Sequence, residues 1–159
     1  MRLSFSAKQA QMKKDIIDDP QIVEALIGGS AGGAKSFSMC QSMMIAATEY
    51  PGIHFVLGRK TLKSLRQTTV ATLLGKVHPL FGIRESDFKY SQMDNEITYL
   101  NGSKITLVDL DFVPSDPDFA RFGSLEFDWA FIDEAGEITV QAKDVLRSRP
   151  GRGEATSKY

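Results

Sequence analysis

Apolar residues recur along the chain in two rhythms. Helical spacing marks Leu3 to Ile17, an amphipathic stretch that Asp18-Asp19-Pro20 ends, and Lys35 to Tyr50, closed by Pro51-Gly52. A third helix is expected over Thr61 to Val77, where Leu62, Leu65, Val70, Leu73, Leu74 and Val77 form a stripe, and a fourth over Thr139 to Leu146. Compact apolar runs read instead as buried strands: Ile22 to Ile27, stopped by Gly28-Gly29, then Ile53 to Leu57 and Trp129 to Ile132. Between them lie three short strands, Phe88 to Ser91, Glu96 to Leu100 and Lys104 to Asp109. The last two are joined by Asn101-Gly102, a strong short-range hairpin signal. Asp116 to Phe122 reads as a brief helix.

Alternation of strands and helices predicts an α/β domain with a mainly parallel sheet. At 159 residues, with 42% apolar and 25% charged, the chain suits one domain with one buried core. A net charge of −1 gives no bulk attraction for DNA or anionic membranes. Nucleic-acid contact would then need a local basic patch or a partner subunit. No apolar run approaches the roughly 18 residues that span a bilayer, so no membrane association is expected. The single cysteine, Cys40, cannot form an intramolecular disulfide and reads as a buried structural thiol. A reducing, cytoplasmic setting is the default.

The chemistry concentrates in two places. Gly28-Gly29-Ser30-Ala31-Gly32-Gly33-Ala34-Lys35-Ser36 lies directly between an expected strand and an expected helix. A triphosphate needs many donors at close range, and a glycine-rich backbone brings its N–H groups near because no Cβ intervenes. The helix that follows adds unpaired N–H groups and a positive dipole end. Lys35 is placed to reach the β- and γ-phosphates of ATP, and the Ser36 hydroxyl to ligate Mg²⁺. Ala34 stands where the usual phosphate-loop pattern has glycine, which narrows the allowed backbone conformations. The bland reading is a glycine-rich turn with an incidental Lys-Ser pair.

Phe127 to Glu134 is the second place: an apolar strand ending in two carboxylates. Asp133, at the carboxyl end of the strand, is positioned to hold Mg²⁺ through water, and Glu134 to polarise an attacking water. Alone, such a pair reads as a solvated turn. Downstream of a phosphate loop it becomes the expected partner site.

Taken together, these stretches resemble the ATPase domain of the large terminase subunit of tailed bacteriophages. The resemblance rests on the phosphate loop, on Phe131-Ile132-Asp133-Glu134-Ala135-Gly136-Glu137-Ile138, on the segment from Gly58-Arg59-Lys60-Thr61 to Arg66-Gln67-Thr68, and on Phe5-Ser6-Ala7-Lys8-Gln9. It implies a P-loop NTPase of the RecA-like (ASCE) three-layer kind over residues 1–159, incomplete at its C-terminus, with 147–159 as a flexible tail. It further implies that Gln9 reads the adenine edge, Lys35 and Ser36 handle phosphate and Mg²⁺, and Glu134 is the catalytic carboxylate. The function implied is ATP hydrolysis that powers viral DNA packaging in the host cytoplasm. Double-stranded DNA, a portal protein and a terminase small subunit are the implied partners, with a homo-oligomeric ring for the full-length protein. Many terminases carry an arginine in or beside the phosphate loop. Here Ser30 and Ala31 occupy that region, so an arginine finger or DNA contact would come from Arg59, Arg66 or a neighbouring subunit. No acidic cluster for a nuclease is present, and the chain reads as a piece of a longer protein. A helicase-like DNA-dependent ATPase and a non-catalytic nucleotide-binding assembly fragment are the alternatives.

Lesser features have plain readings. His54 and His78 read as structural, and Trp129 as core. The run Asp109, Asp111, Asp116 and Asp118 reads as a solvated loop rather than a calcium site. The basic end (Lys143, Arg147, Arg149, Arg152, Lys158) fits a DNA-phosphate contact or a frayed terminus equally.

Overall fold

A computed structural model describes residues 35–148, together with Gln11, Lys14 and Glu24. Gln9, the phosphate-loop residues 28–34 and the tail 149–159 lie outside the described residues. So does most of the expected N-terminal helix, within which Gln11 and Lys14 stand in helical turns, both exposed. In the expected strand 22–27 only Glu24 is described. It is exposed and in no strand, and its carboxylate pairs with Arg147 at 3.4 Å.

Helix α1 (Lys35–Glu49) has neither glycine nor proline, and its residues from Ser38 to Ala47 are all buried. A helix buried on every side belongs inside the molecule. Gly52, at φ +87°, turns the chain into strand β1 (His54–Arg59). Thr61 then caps the next helix by accepting from Ser64 N–H at 3.2 Å.

That helix is not the uniform α-helix its apolar stripe predicts. It begins as α2 (Leu62–Leu65), widens into two π-helical segments (Arg66–Val70 and Leu73–Val77), and closes as α3 (His78–Leu80) with Pro79 tolerated in the first turn. The stripe itself holds: Leu65, Val70, Leu73 and Val77 are buried. Leu65 and Val70 are five residues apart, the step of the i→i+5 hydrogen bond that defines a π turn.

Strands β2 (Phe88–Ser91), β3 (Glu96–Tyr99), β4 (Lys104–Asp109) and β5 (Trp129–Ile132) complete a sheet of order β2-β3-β4-β1-β5. β5, β1 and β4 run parallel, whereas β2 and β3 add an antiparallel hairpin extension. The Asn101-Gly102 turn is formed, with Gly102 at φ +84° and the Asn101 amide donating to Ala47 O at 2.8 Å. The expected helix over 116–122 contracts to a 3₁₀ turn, Ala120–Phe122. The Asp116 carboxylate takes the Ala120 N–H at 2.7 Å, and Phe119 adopts a left-handed φ of 52°, so a continuous helix cannot start earlier. Helix α4 (Val140–Arg147), capped by Thr139, ends the described chain.

Successive residues of a strand face opposite sides. On β1, Phe55 and Leu57 enter a core with α1 and the 62–80 helix, while Val56 enters a second core with the 110–127 loop and α4. Helical or loop layers therefore cover both sheet faces.

Candidate functional site

The carboxyl ends of the parallel strands β1 and β5 meet the first turn of α1 at one polar cluster. Asp133 is its centre. The residue follows β5 directly and its backbone N–H donates to Gly58 O at 2.9 Å, which fixes it to the end of β1. Only 6% exposed, it is a buried carboxylate, and such a group needs partners. Ser36, in the first turn of α1, donates its hydroxyl to Asp133 Oδ1 at 3.0 Å, across 97 residues of sequence. Thr69, in the first π-helical segment, donates to Asp133 Oδ2 at 2.5 Å. The Arg59 guanidinium lies 3.7 Å from the same oxygen and donates to Thr68 Oγ1 at 2.6 Å.

Lys35 begins α1, and no acidic side chain occupies that helix's first turn. The positive end of a 15-residue helix is thus left uncompensated by carboxylates of its own first turn, a setting that favours an anion. Ser36 and Asp133 offer hydroxyl and carboxylate oxygens, the hard donors that suit Mg²⁺ rather than a thiophilic metal. Among the described residues no group of three or more His, Cys, Asp or Glu side chains is arranged to hold a metal.

Glu134 differs from its neighbour in every respect. It is exposed, adopts φ 52° and ψ 50°, and opens the 3₁₀ turn Ala135–Glu137. A left-handed conformation is uncommon for a residue with a Cβ and turns Glu134 away from the strand direction that Asp133 follows.

The two candidate arginines part company. Arg59 belongs to the Asp133 cluster. Arg66 instead donates to Gln92 O at 2.8 Å and to Asn95 Oδ1, so it clamps the β2–β3 turn. Thr69 and Cys40 are neighbours of the site that motif spacing does not reveal. The Cys40 thiol contacts Thr69 O at 3.7 Å, and burial, assisted by the charge of Asp133, pushes its pKa up to about 12.

The remaining titratable groups have structural duties. His78 is buried, its Nε2 paired with Tyr99 OH at 2.9 Å, and burial lowers its pKa to about 4. His54 pairs with Thr106 Oγ1 at 2.8 Å, and burial, then Lys104, lowers its pKa. In the acidic run, Asp109 accepts from Leu62 N–H, Asp116 pairs with Arg121 at 2.8 Å, and Asp118 accepts from Gln141. Trp129 is partly buried against Tyr50, Phe55 and Phe131.

No protein-family model matches the chain, and no curated protein matches it. Solved structures do. A large terminase from a thermophilic bacteriophage matches at a TM-score of 0.71 and 22% identity, over 94% of this chain and 37% of that one. The same terminase in complex with ADP matches at 0.70 and 20% identity, over 93% and 36%. Its complex with ATP-gamma-S matches at 0.67 and 20%, over 96% and 36%. The chain thus has the fold of a large-terminase segment and spans little more than a third of the length of those chains. No helix among the described residues is long and apolar enough to cross a membrane.

Proposed function

We propose that this chain is a P-loop ATPase domain and part of a viral DNA-packaging motor. The observation that carries the reading is the hydrogen bond from Ser36 to Asp133 at 3.0 Å. It joins the residue that ends the glycine-rich loop to the carboxylate that ends an apolar strand, the pair a magnesium nucleotide requires. The fold shared with a large terminase whose structures include ADP and ATP-gamma-S complexes supports the same reading.

In this mechanism backbone N–H groups of Gly29, Ser30, Ala31, Gly32, Gly33 and Ala34 wrap the phosphates, and Lys35 adds a cation at the β- and γ-phosphates. Gln9 reads the adenine edge. Ser36 and Asp133 would hold Mg²⁺, which when bound would supply positive charge against that developing on the phosphates. Glu134, exposed beside Asp133 and held out of the strand direction, orients water for in-line attack on the γ-phosphate. Of the two arginines Arg59 lies beside Asp133 and is the one near enough to act at the phosphates, whereas Arg66 is engaged at the hairpin; neither side chain is free for DNA in this arrangement. Double-stranded DNA, a portal protein, a small subunit and further copies in a ring complete the motor, which works in the host cytoplasm.

Lys35→Ala abolishes ATP turnover and Glu134→Gln retains nucleotide binding while slowing hydrolysis by about 10²–10⁴-fold. Calorimetric titration with Mg·ATP, paired with phosphate release, checks both. Hydrolysis by Glu134→Gln at the parental rate removes Glu134 from the chemistry. A parent chain that binds no nucleotide removes the ATPase reading altogether and leaves an assembly role.

A further inference from the structure

Thr69 and the neighbouring Thr68 use their hydroxyls differently. Thr68, exposed, returns its hydroxyl to Ser64 O at 2.8 Å, the usual local resort of a helical threonine. Thr69 is 0% exposed and sends its hydroxyl out of the helix to Asp133 Oδ2. Valine would fill the same volume, so packing alone does not account for the hydroxyl.

Backbone geometry explains how it gets there. Residues Arg66–Val70 form a π-helical segment, which brings both Thr69 and Val70 to the buried side. A second π-helical segment, Leu73–Val77, follows in the same helix, so the π turn sets where Thr69 lies and is not in itself a mark of function. The segment is tied at both ends: Arg66 clamps the β2–β3 turn, and the Thr69 carbonyl takes the Cys40 thiol of α1. The Thr69 hydroxyl is therefore held at a fixed place beside the sheet end.

A carboxylate has two oxygens and a rotatable χ2. Asp133 Oδ1 faces Ser36, whereas Oδ2 faces Thr69 with Arg59 behind it. With Oδ2 occupied by a fixed donor, Oδ1 alone is directed at the Ser36 side. We infer that Thr69 is a positioning residue, which orients the Asp133 carboxylate so that one defined oxygen faces the magnesium of a bound nucleotide. This rests on the ATPase reading above. Partners behind a metal-binding carboxylate typically carry a 10–100-fold effect on metal affinity or activity.

The test is metal dependence of nucleotide binding, measured by calorimetry with ADP across a Mg²⁺ series and in EDTA. In Thr69→Val the Mg²⁺ needed for half-maximal enhancement of ADP binding rises about 10-fold or more, while affinity in EDTA stays within about 3-fold of the parent. Thr69→Ser, which keeps the hydroxyl, restores the parental Mg²⁺ requirement. A thermal melt shows that each variant is folded. The inference is overturned if folded Thr69→Val keeps the parental Mg²⁺ requirement, if Ser and Val variants are equally impaired, or if the loss in EDTA matches that in Mg²⁺. Failure of the parent to bind ADP at all is a separate result, since it sinks the ATPase reading on which the inference stands.

Discussion

The two faces of the sheet are built from similar apolar side chains but do different work. The α1 face carries the larger core, from Met39 and Cys40 through Phe55 and Leu65 to Phe131, and around it lie Ser36, Thr69 and His78. The α4 face carries a smaller cluster of apolar residues only, Val56, Val108, Leu110, Phe119, Phe122, Phe127, Ile138, Ala142 and Leu146. The hydroxyl groups that hold Asp133 both come from the first face. A close-packed wall transmits position with little give, so the Asp133 cluster is held where packing is deepest. The second face supports the sheet from behind and is stitched by Arg121, which pairs with Asp116 and lies 4.9 and 4.6 Å from the Phe119 and Phe122 ring centres.

Truncating one leucine on each face tests that division most severely. Leu65→Ala and Leu146→Ala remove equal, fully buried side chains, and each costs about 2–5 kcal/mol in denaturant unfolding. Under conditions where both remain folded, only Leu65→Ala weakens ADP binding, because Leu65 immediately precedes the π segment bearing Thr69. Equal losses of binding would erase the distinction between the faces.

Acid separates the faces next. The unfolded chain protonates His78 near 6.5, and the folded one near 4. Between these values the unfolded state binds more protons, so stability is full above pH 6.5 and falls as pH drops towards 4. The His78 share is about 3 kcal/mol. Urea melts at both pH values, compared with His78→Gln, isolate it. A slope unchanged in the variant would show that other groups govern acid sensitivity.

Gly58 gives the smallest effect and probes the second face. A Cβ there comes within 2.5 Å of Leu110 Cδ1 and 3.1 Å of Val108 Cγ2. Gly58→Ala forces those buried side chains to shift, at about 1–3 kcal/mol in thermal or chemical unfolding. Because Gly58 O accepts from Asp133 N–H, a weakened Mg²⁺ response in this variant would show that the second face also reaches the site.

Much of the architecture is legible in the chain because its signals are local. Pro51-Gly52, Asn101-Gly102 and the period of each apolar run mark α1, β1, β4, β5 and α4 to within one or two residues. The contact between Ser36 and Asp133 is legible for another reason: each ends a motif whose proposed chemistry would bring the two together. Thr69 is not legible. Its contact with Asp133 depends on a turn with an extra residue, and a threonine in an apolar stripe looks like core. The five-residue step from Leu65 to Val70 is the one trace of that turn in the sequence. Arg59 and Arg66 look alike in sequence, and tertiary contacts alone separate them. The 116–122 turn escapes for a similar reason, since an Asp side chain replaces the helical backbone acceptor there.

Cys40 carries a practical corollary. The chain's single thiol is enclosed between α1 and the π segment, and its high pKa leaves almost no thiolate at neutral pH. Alkylating reagents consequently find no nucleophile until those two helices part. The side chain is a native, label-free gauge of how often the wall behind Ser36 and Thr69 breathes, read without introducing any foreign group.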